Sequence, residues 1–208
     1  MKLAILIPYR DREKHLKVFL HFLPKNINIE NYIILIIEQN GNEKFNRAKL
    51  INSGFDFIKN KIDYICIHDI DMIPIKADYS YSDIPLHMAT NCSQFNYGLP
   101  YNGYYGGVNL MSNENFIKIN GFSNDYWGWG VEDDDLLQRV IKTGYKLERR
   151  PGYYVSLPHD KNPSNRQENL RKFHSEYKYS EDGLSNIEYK ILEQIELNDF
   201  TIKIKVDI

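Results

Sequence analysis

Apolar residues recur along the first half of the chain in two alternating rhythms. Leu3 to Ile7 is a continuous apolar run, the pattern of a strand covered on both faces. In DREKHLKVFLHFL, which follows, Leu16, Phe19, Leu20 and Leu23 fall at helical spacing. YIILII from Tyr32 predicts a second buried strand, and NRAKLINSGFDFIKN then sets Ala48, Ile51, Phe55 and Ile58 at helical intervals. YICI from Tyr64 predicts a third strand. Strand and helix in alternation indicate an α/β layered domain.

The rhythm then changes. From Tyr79 to Gly107 the sequence is rich in Tyr, Gly, Asn and Pro, which predicts loops and short strands. Two more helices are expected, Asn113 to Asn120 and Glu132 to Thr143, the second with Leu136, Leu137, Val140 and Ile141 as its apolar face. Beyond Pro158, HDKNPSNRQENLRKF is polar and turn-prone and reads as a mobile loop near 156–170. FTIKIKVDI alternates and predicts a half-exposed terminal strand. No internal repeat and no linker composition interrupts the chain, so a single domain over 1–208 is expected.

Composition narrows the function classes. With 42% hydrophobic and 26% charged residues the chain can bury a sizeable core. The net charge of −2, from 26 basic and 28 acidic residues, gives no general attraction to nucleic acid or an anionic membrane. Cys66 and Cys92 are too few for a disulfide framework and lack zinc-site spacing, so both read as buried thiols of a reducing compartment. The apolar start is short and ends at Pro8-Tyr9-Arg10, and no stretch approaches the roughly 20 apolar residues of a membrane span. A cytoplasmic address is expected.

Several segments could carry chemistry, and each also fits a plain structural role. HDIDMIP puts Asp69 and Asp71 just past the third strand, where an open α/β sheet binds ligands; they are equally two acids opening a turn. PYRDR offers Arg10 and Arg12 for a nucleotide or its phosphates, with Pro8 and Tyr9 shaping a base pocket, or simply two solvated arginines at a helix start. FNRAKL offers Phe45 for stacking and Arg47 for an anion, or a helix entry capped by Asn46. In PYNGYYGGVNLMS, Tyr101, Tyr104 and Tyr105 adjoin Gly106 and Gly107, which suits sugar stacking with close backbone approach, or a Tyr-rich core hairpin. A lone histidine such as His159 is usually structural.

NDYWGWGVEDDD holds both tryptophans and four consecutive acids. Gly128 and Gly130 allow left-handed backbone around Trp129, whose indole could lie flat on a sugar, while Trp127 could equally be core. Acids favour a helix N-terminus by only about 0.3–1 kcal/mol each. Four in succession point about 100° apart, so they divide their work: some bind hydroxyls and one acts as a base.

Taken together, IPYRDREKHL, FNRAKLINSGF, DIDMIP, LPYNGYYGGVNLMS, NGFSNDYWGWGVEDDD, PHD and DGLSNIEYKIL resemble, in this order, the β-1,4-galactosyltransferase family of inverting glycosyltransferases. The likeness runs over nearly the whole chain. It implies a GT-A-like nucleotide-sugar-binding fold, a mixed twisted sheet flanked by helices, with 1–90 as the nucleotide half and 91–208 as the acceptor half. It implies that Pro8, Tyr9, Arg10, Arg12, Phe45, Arg47 and Asp69 hold the nucleotide. Asp71 and His159 would ligate Mn²⁺, with Mg²⁺ or another divalent cation as the alternative. Tyr104, Gly107, Trp129 and Glu132 would meet the donor, and Tyr101, Trp129 and Asp134 the acceptor, with Asp133 as catalytic base. A tyrosine at position 104 goes with galactose, whereas a smaller aliphatic residue admits N-acetylgalactosamine. The implied reaction moves galactose from UDP-galactose to a saccharide hydroxyl, forming a β-1,4 linkage in a cell-surface or lipid-linked glycan. Transfer of N-acetylgalactosamine and a non-catalytic sugar-binding module are the alternatives. Ser156 and Leu157 stand where family members carry a further methionine or histidine metal ligand.

Overall fold

The three apolar runs become the parallel centre of a twisted sheet. The computed structural model describes residues 1–158, 165–173 and 179–208. Strand β1 (Leu3–Tyr9) is buried at every position and lies between β2 (Tyr32–Gln39) and β3 (Tyr64–His68), with Leu3 opposite both Tyr32 and Tyr64. Helix α1 (Glu13–Asn26) covers one face through Phe19 and Leu23, and α2 (Arg47–Ile58) covers the other through Ala48, Ile51, Phe55 and Ile58. Alternate residues of β1 therefore feed two cores: Ala4 and Leu6 join α2, while Leu3, Ile5 and Ile7 join α1.

The middle of the chain is short strands, as its turn-rich composition implies: β4 (Met72–Lys76), β5 (Leu86–His87) and β6 (Asn91–Cys92). β7 (Val108–Ser112) runs antiparallel to β3 and leads into α3 (Asn113–Lys118), then α4 (Glu132–Lys142), β8 (Glu148–Arg149) and β9 (Tyr153–Ser156). The last elements are α5 (Arg166–Phe173), β10 (Lys190–Asn198) and β11 (Thr201–Asp207). The main sheet has the order β10-β11-β2-β1-β3-β7-β5-β8, and β4-β9-β6 form a smaller one.

Two expectations need correction. Part of the polar stretch expected to be loop is helix α5, and Ser156 belongs to β9; positions 157, 158 and 165 are outside helix and strand, and 159–164 lie outside the described residues. On α4, Ile141 is 44% exposed, because Asp135 and Arg139 complete the buried face beside Leu136, Leu137 and Val140. The terminal strand β11 mixes buried and part-exposed positions, the half-exposed strand expected, and it pairs with β2 on one side and with the exposed β10 on the other.

Candidate active site

The carboxyl ends of β1, β2 and β3 open into one cleft of about 790 Å³. Pro8, Arg10 and Arg12 reach it from the end of β1, Phe45 and Arg47 from the entry to α2, and Asp69 and Asp71 from the turn after β3. The opposite wall is Tyr101, Tyr104 and Gly107 from the loop before β7, with Trp129, Glu132, Asp133 and Asp134 at the start of α4. Of the residues singled out from the sequence, Tyr9 is not on this wall; its side chain is 8% exposed and packs with the α1 core. His159 lies outside the described residues.

Buried amides join the two walls. Asn46 caps α2 by accepting from the Lys49 N–H at 2.8 Å, and its own amide donates to the Asn124 carbonyl at 2.7 Å. Asn52 donates to the Phe122 carbonyl at 2.8 Å and to Asn124 Oδ1 at 2.9 Å, while its oxygen accepts from the Phe122 N–H at 2.9 Å. The Gly128 N–H donates to the Phe45 carbonyl at 2.8 Å. Fully paired amide networks of this kind fix one geometry, because any unpaired member would be costly in a buried setting. They lock the α2 entry against the tryptophan turn.

That turn is left-handed at Gly128 (φ 79°), Gly130 (φ 99°) and Val131 (φ 82°). For a β-branched valine this backbone is strained, and it sits directly before Glu132 and Asp133. Asn169 of α5 supports the turn, its amide lying 3.2 Å from the Trp127 carbonyl and 3.1 Å from that of Gly130. Trp129 itself stays 42% exposed, available as an aromatic platform.

Charge concentrates on Arg47. Its Nε donates to Asp69 at 2.7 Å and its Nη1 to Asp133 at 2.9 Å, with Glu132 at 3.9 Å, and its guanidinium lies over the Phe122 ring. Burial works against the charge on Arg47, but Asp133, Asp69 and Glu132 together outweigh it and hold the guanidinium charged. Burial, with Glu132, Asp69 and Asp134 close by, pushes the Asp133 carboxyl well above its usual range, and Arg47 opposes the rise. Glu132 is raised for the same first reason, its burial. A carboxylate whose affinity for a proton has been increased is suited to general-base work. Tyr101 donates to Asp134 at 3.1 Å, and burial and that acid push its hydroxyl up to about 12. Arg10 stacks over Phe45, 5.4 Å from the ring centre, and donates to the Glu43 carbonyl at 2.6 Å.

Some participants escape a motif reading. Gln94, Phe95, Asn165 and Arg166 also line the cleft, and Asn169 braces it from behind. Asn52 had a signal, a polar residue on the apolar face of a predicted helix; the others had none.

A mixed sheet flanked by helices, with loops at the carboxyl ends of its parallel strands opening into a carboxylate-lined cleft, is the arrangement in which an open α/β sheet binds a ligand, and it is a GT-A-like fold. Residues 1–83 match the family model for the N-terminal region of glycosyl transferase group 7, and residues 86–160 match that for the N-terminal domain of galactosyltransferase. The chain is 38% identical to β-1,4-galactosyltransferase 2 of Homo sapiens, over 99% of this chain and 58% of that protein. It is 41% identical to β-1,4-galactosyltransferase 5 of Mus musculus, over 90% of this chain and 51% of that protein. It thus spans a little over half the length of these relatives. A crystal structure of the catalytic domain of Drosophila β-1,4-galactosyltransferase 7 with xylobiose superposes with a TM-score of 0.79 at 29% identity, covering 99% of this chain and 93% of that one. A mutant of that protein has been crystallised with manganese, UDP-Gal and xylobiose. The chain belongs to the β-1,4-galactosyltransferase family.

Proposed function

We propose that this chain is a metal-dependent inverting galactosyltransferase, moving galactose from UDP-galactose to a saccharide hydroxyl with formation of a β-1,4 linkage. The observation that carries this reading is the bridge through Arg47, which sets the acid Asp133 beside Asp69 at one end of the cleft. Residues 1–90 serve as the nucleotide half and 91–208 as the acceptor half. Arg10, Arg12, Phe45 and Asp69 hold the nucleotide, Tyr104, Gly107 and Glu132 the transferred sugar, and Tyr101, Trp129 and Asp134 the acceptor.

Inversion at an anomeric carbon needs one base on the acceptor side and no covalent nucleophile. Asp133 takes the proton of the attacking hydroxyl as that oxygen bonds to the anomeric carbon. The bond from that carbon to the diphosphate oxygen breaks, and its electron pair leaves with UDP.

Asp71 fits a role in metal binding: its hard carboxylate lies on the cleft wall at the end of the strand that also supplies Asp69. Among the described residues no three His, Cys, Asp or Glu side chains form a metal cluster. Asp71 and His159 are the two side chains we assign to hold the cation. Mn²⁺ held there would neutralise the charge of the departing diphosphate. The family relative crystallised with manganese, UDP-Gal and xylobiose supports this choice of cation and donor.

No helix among the described residues is long and apolar enough to cross a membrane, and Cys66 and Cys92 are both buried and free. The free thiols support a cytoplasmic setting, with a glycan or lipid-linked saccharide as acceptor. A UDP-release assay across donors, saccharide acceptors and divalent cations tests the reading. Release with UDP-galactose that depends on both acceptor and Mn²⁺ is expected; UDP binding without release in any combination would leave a non-catalytic sugar-binding module.

A further inference from the structure

The two oxygens of Asp133 have different surroundings. Oδ1 accepts from Arg47 Nη1 at 2.9 Å. Oδ2 has no hydrogen-bond donor among the described residues and faces Gly106. A methyl group at Gly106 would lie 2.9 Å from Oδ2, and 2.9 Å from both the ring edge and the hydroxyl of Tyr104.

We propose that Arg47 and Gly106 are positioning residues that select which oxygen of Asp133 receives the acceptor proton: Arg47 occupies Oδ1, and the missing side chain at Gly106 keeps Oδ2 open. This rests on Asp133 being the base. The acceptor O–H proton passes to Oδ2, its oxygen bonds to the anomeric carbon, and the pair from the breaking carbon–oxygen bond departs with the diphosphate.

Both positioning groups are held from behind. Arg47 cannot swing freely, because its Nε is tied to Asp69 at 2.7 Å and its side chain is 11% exposed. The Gly106 carbonyl accepts from His87 Nε2–H at 2.9 Å, and Arg149, which faces the other nitrogen of that ring, donates to the Tyr104 carbonyl at 2.9 Å. Gly106 is outside the left-handed region, unlike Gly107 at φ 85°. Alanine therefore suits the backbone at 106, and what it would crowd is side chain rather than backbone: the Tyr104 ring, which is packed against His87, Phe95 and Tyr101, and the Asp133 carboxylate, which gives way. The chain should still fold, with the base displaced. A base must lie within hydrogen-bond reach of the proton it takes, so a shift of a fraction of an ångström is felt in turnover.

Arg47 also favours the charged form of Asp133, against Glu132 and Asp134 from α4, Asp69 from the end of β3 and the neighbouring Tyr104. Removing its charge moves the acid limb of the pH–rate profile upward.

The test compares Gly106→Ala, Arg47→Lys, Arg47→Met and Asp133→Asn in the full chain, by UDP-release kinetics and by calorimetric UDP affinity. Gly106→Ala is expected to keep UDP affinity within about threefold and to lose roughly tenfold or more in kcat, with little change in donor KM. Arg47→Met is expected to shift the acid limb of kcat/KM to higher pH, and Arg47→Lys to restore part of it. Wild-type kcat in Gly106→Ala, or an Arg47→Met limb that stays in place, overturns the proposal. Should Arg47→Met fail to fold, Gly106→Ala alone decides. Unchanged turnover in Asp133→Asn removes the base itself, an outcome distinct from loss there with Gly106→Ala unaffected.

Discussion

Arg139 donates from Nε to the carboxylate of Asp135 at 2.8 Å, one turn away on α4, and neither side chain reaches solvent. The fourth acid of the EDDD run is thus turned from the cleft into the protein. Arg139 Nη1 also donates to the Asp182 carbonyl at 2.9 Å, tying α4 to the segment just before the short 3₁₀ turn Leu184–Asn186. Removing one partner of a buried pair strands the other charge, at a cost of about 3–5 kcal/mol. Arg139→Met and Asp135→Ala are each expected to lose that much in urea denaturation. A loss below about 1 kcal/mol in either, the size of an exposed pair, would contradict this role.

His87 makes stability depend on pH. Burial, with Arg149 adjacent, lowers its pKa from 6.5 to about 4, so the folded protein holds it neutral. Its contribution is fully present above pH 6.5 and is lost as pH falls towards 4, because the unfolded chain takes up the proton first. The whole effect is on the order of 3 kcal/mol. His87→Gln should show a smaller loss of stability between pH 7 and pH 4.5 than the unmodified protein. Equal losses in the two would remove His87 from the acid response.

Tyr104 tests donor choice. Its ring lies edge-on to His87 at 5.4 Å, Phe95 at 5.6 Å and Tyr101 at 5.7 Å, which fixes it on the cleft wall. Tyr104→Leu opens space on the cleft wall, where the proposed function puts the transferred sugar. The ratio of kcat/KM for UDP-N-acetylgalactosamine over UDP-galactose should rise by about tenfold or more, the scale at which pocket shape discriminates. An unchanged ratio would show that position 104 does not set the donor.

The strand and helix periods were plain in the sequence because each central strand is buried on both faces and each flanking helix on one; Leu3–Tyr9 and Arg47–Ile58 show this. β10 was not visible, since an exposed edge strand has no core to impose alternation on KILEQIELN. The helix α5 was hidden in the same way by its polar surface; Asn169, a buried amide, anchors it. In the site, motifs gave the residues on the wall but not their partners. Nothing in the spacing of Arg47 and Asp133, 86 positions apart, announces that they pair. Nor could four adjacent acids be sorted by sequence into one facing Arg47, one bonded to Tyr101 and one buried against Arg139.

The central claim is that Asp133 removes the acceptor proton. Single-turnover transfer by Asp133→Asn from UDP-galactose, measured beside its UDP affinity in Mn²⁺, tests it most directly. The account predicts UDP affinity close to that of the unmodified protein and transfer slowed by about 10²–10⁴-fold, the usual worth of a general base. Transfer at the unmodified rate would contradict it.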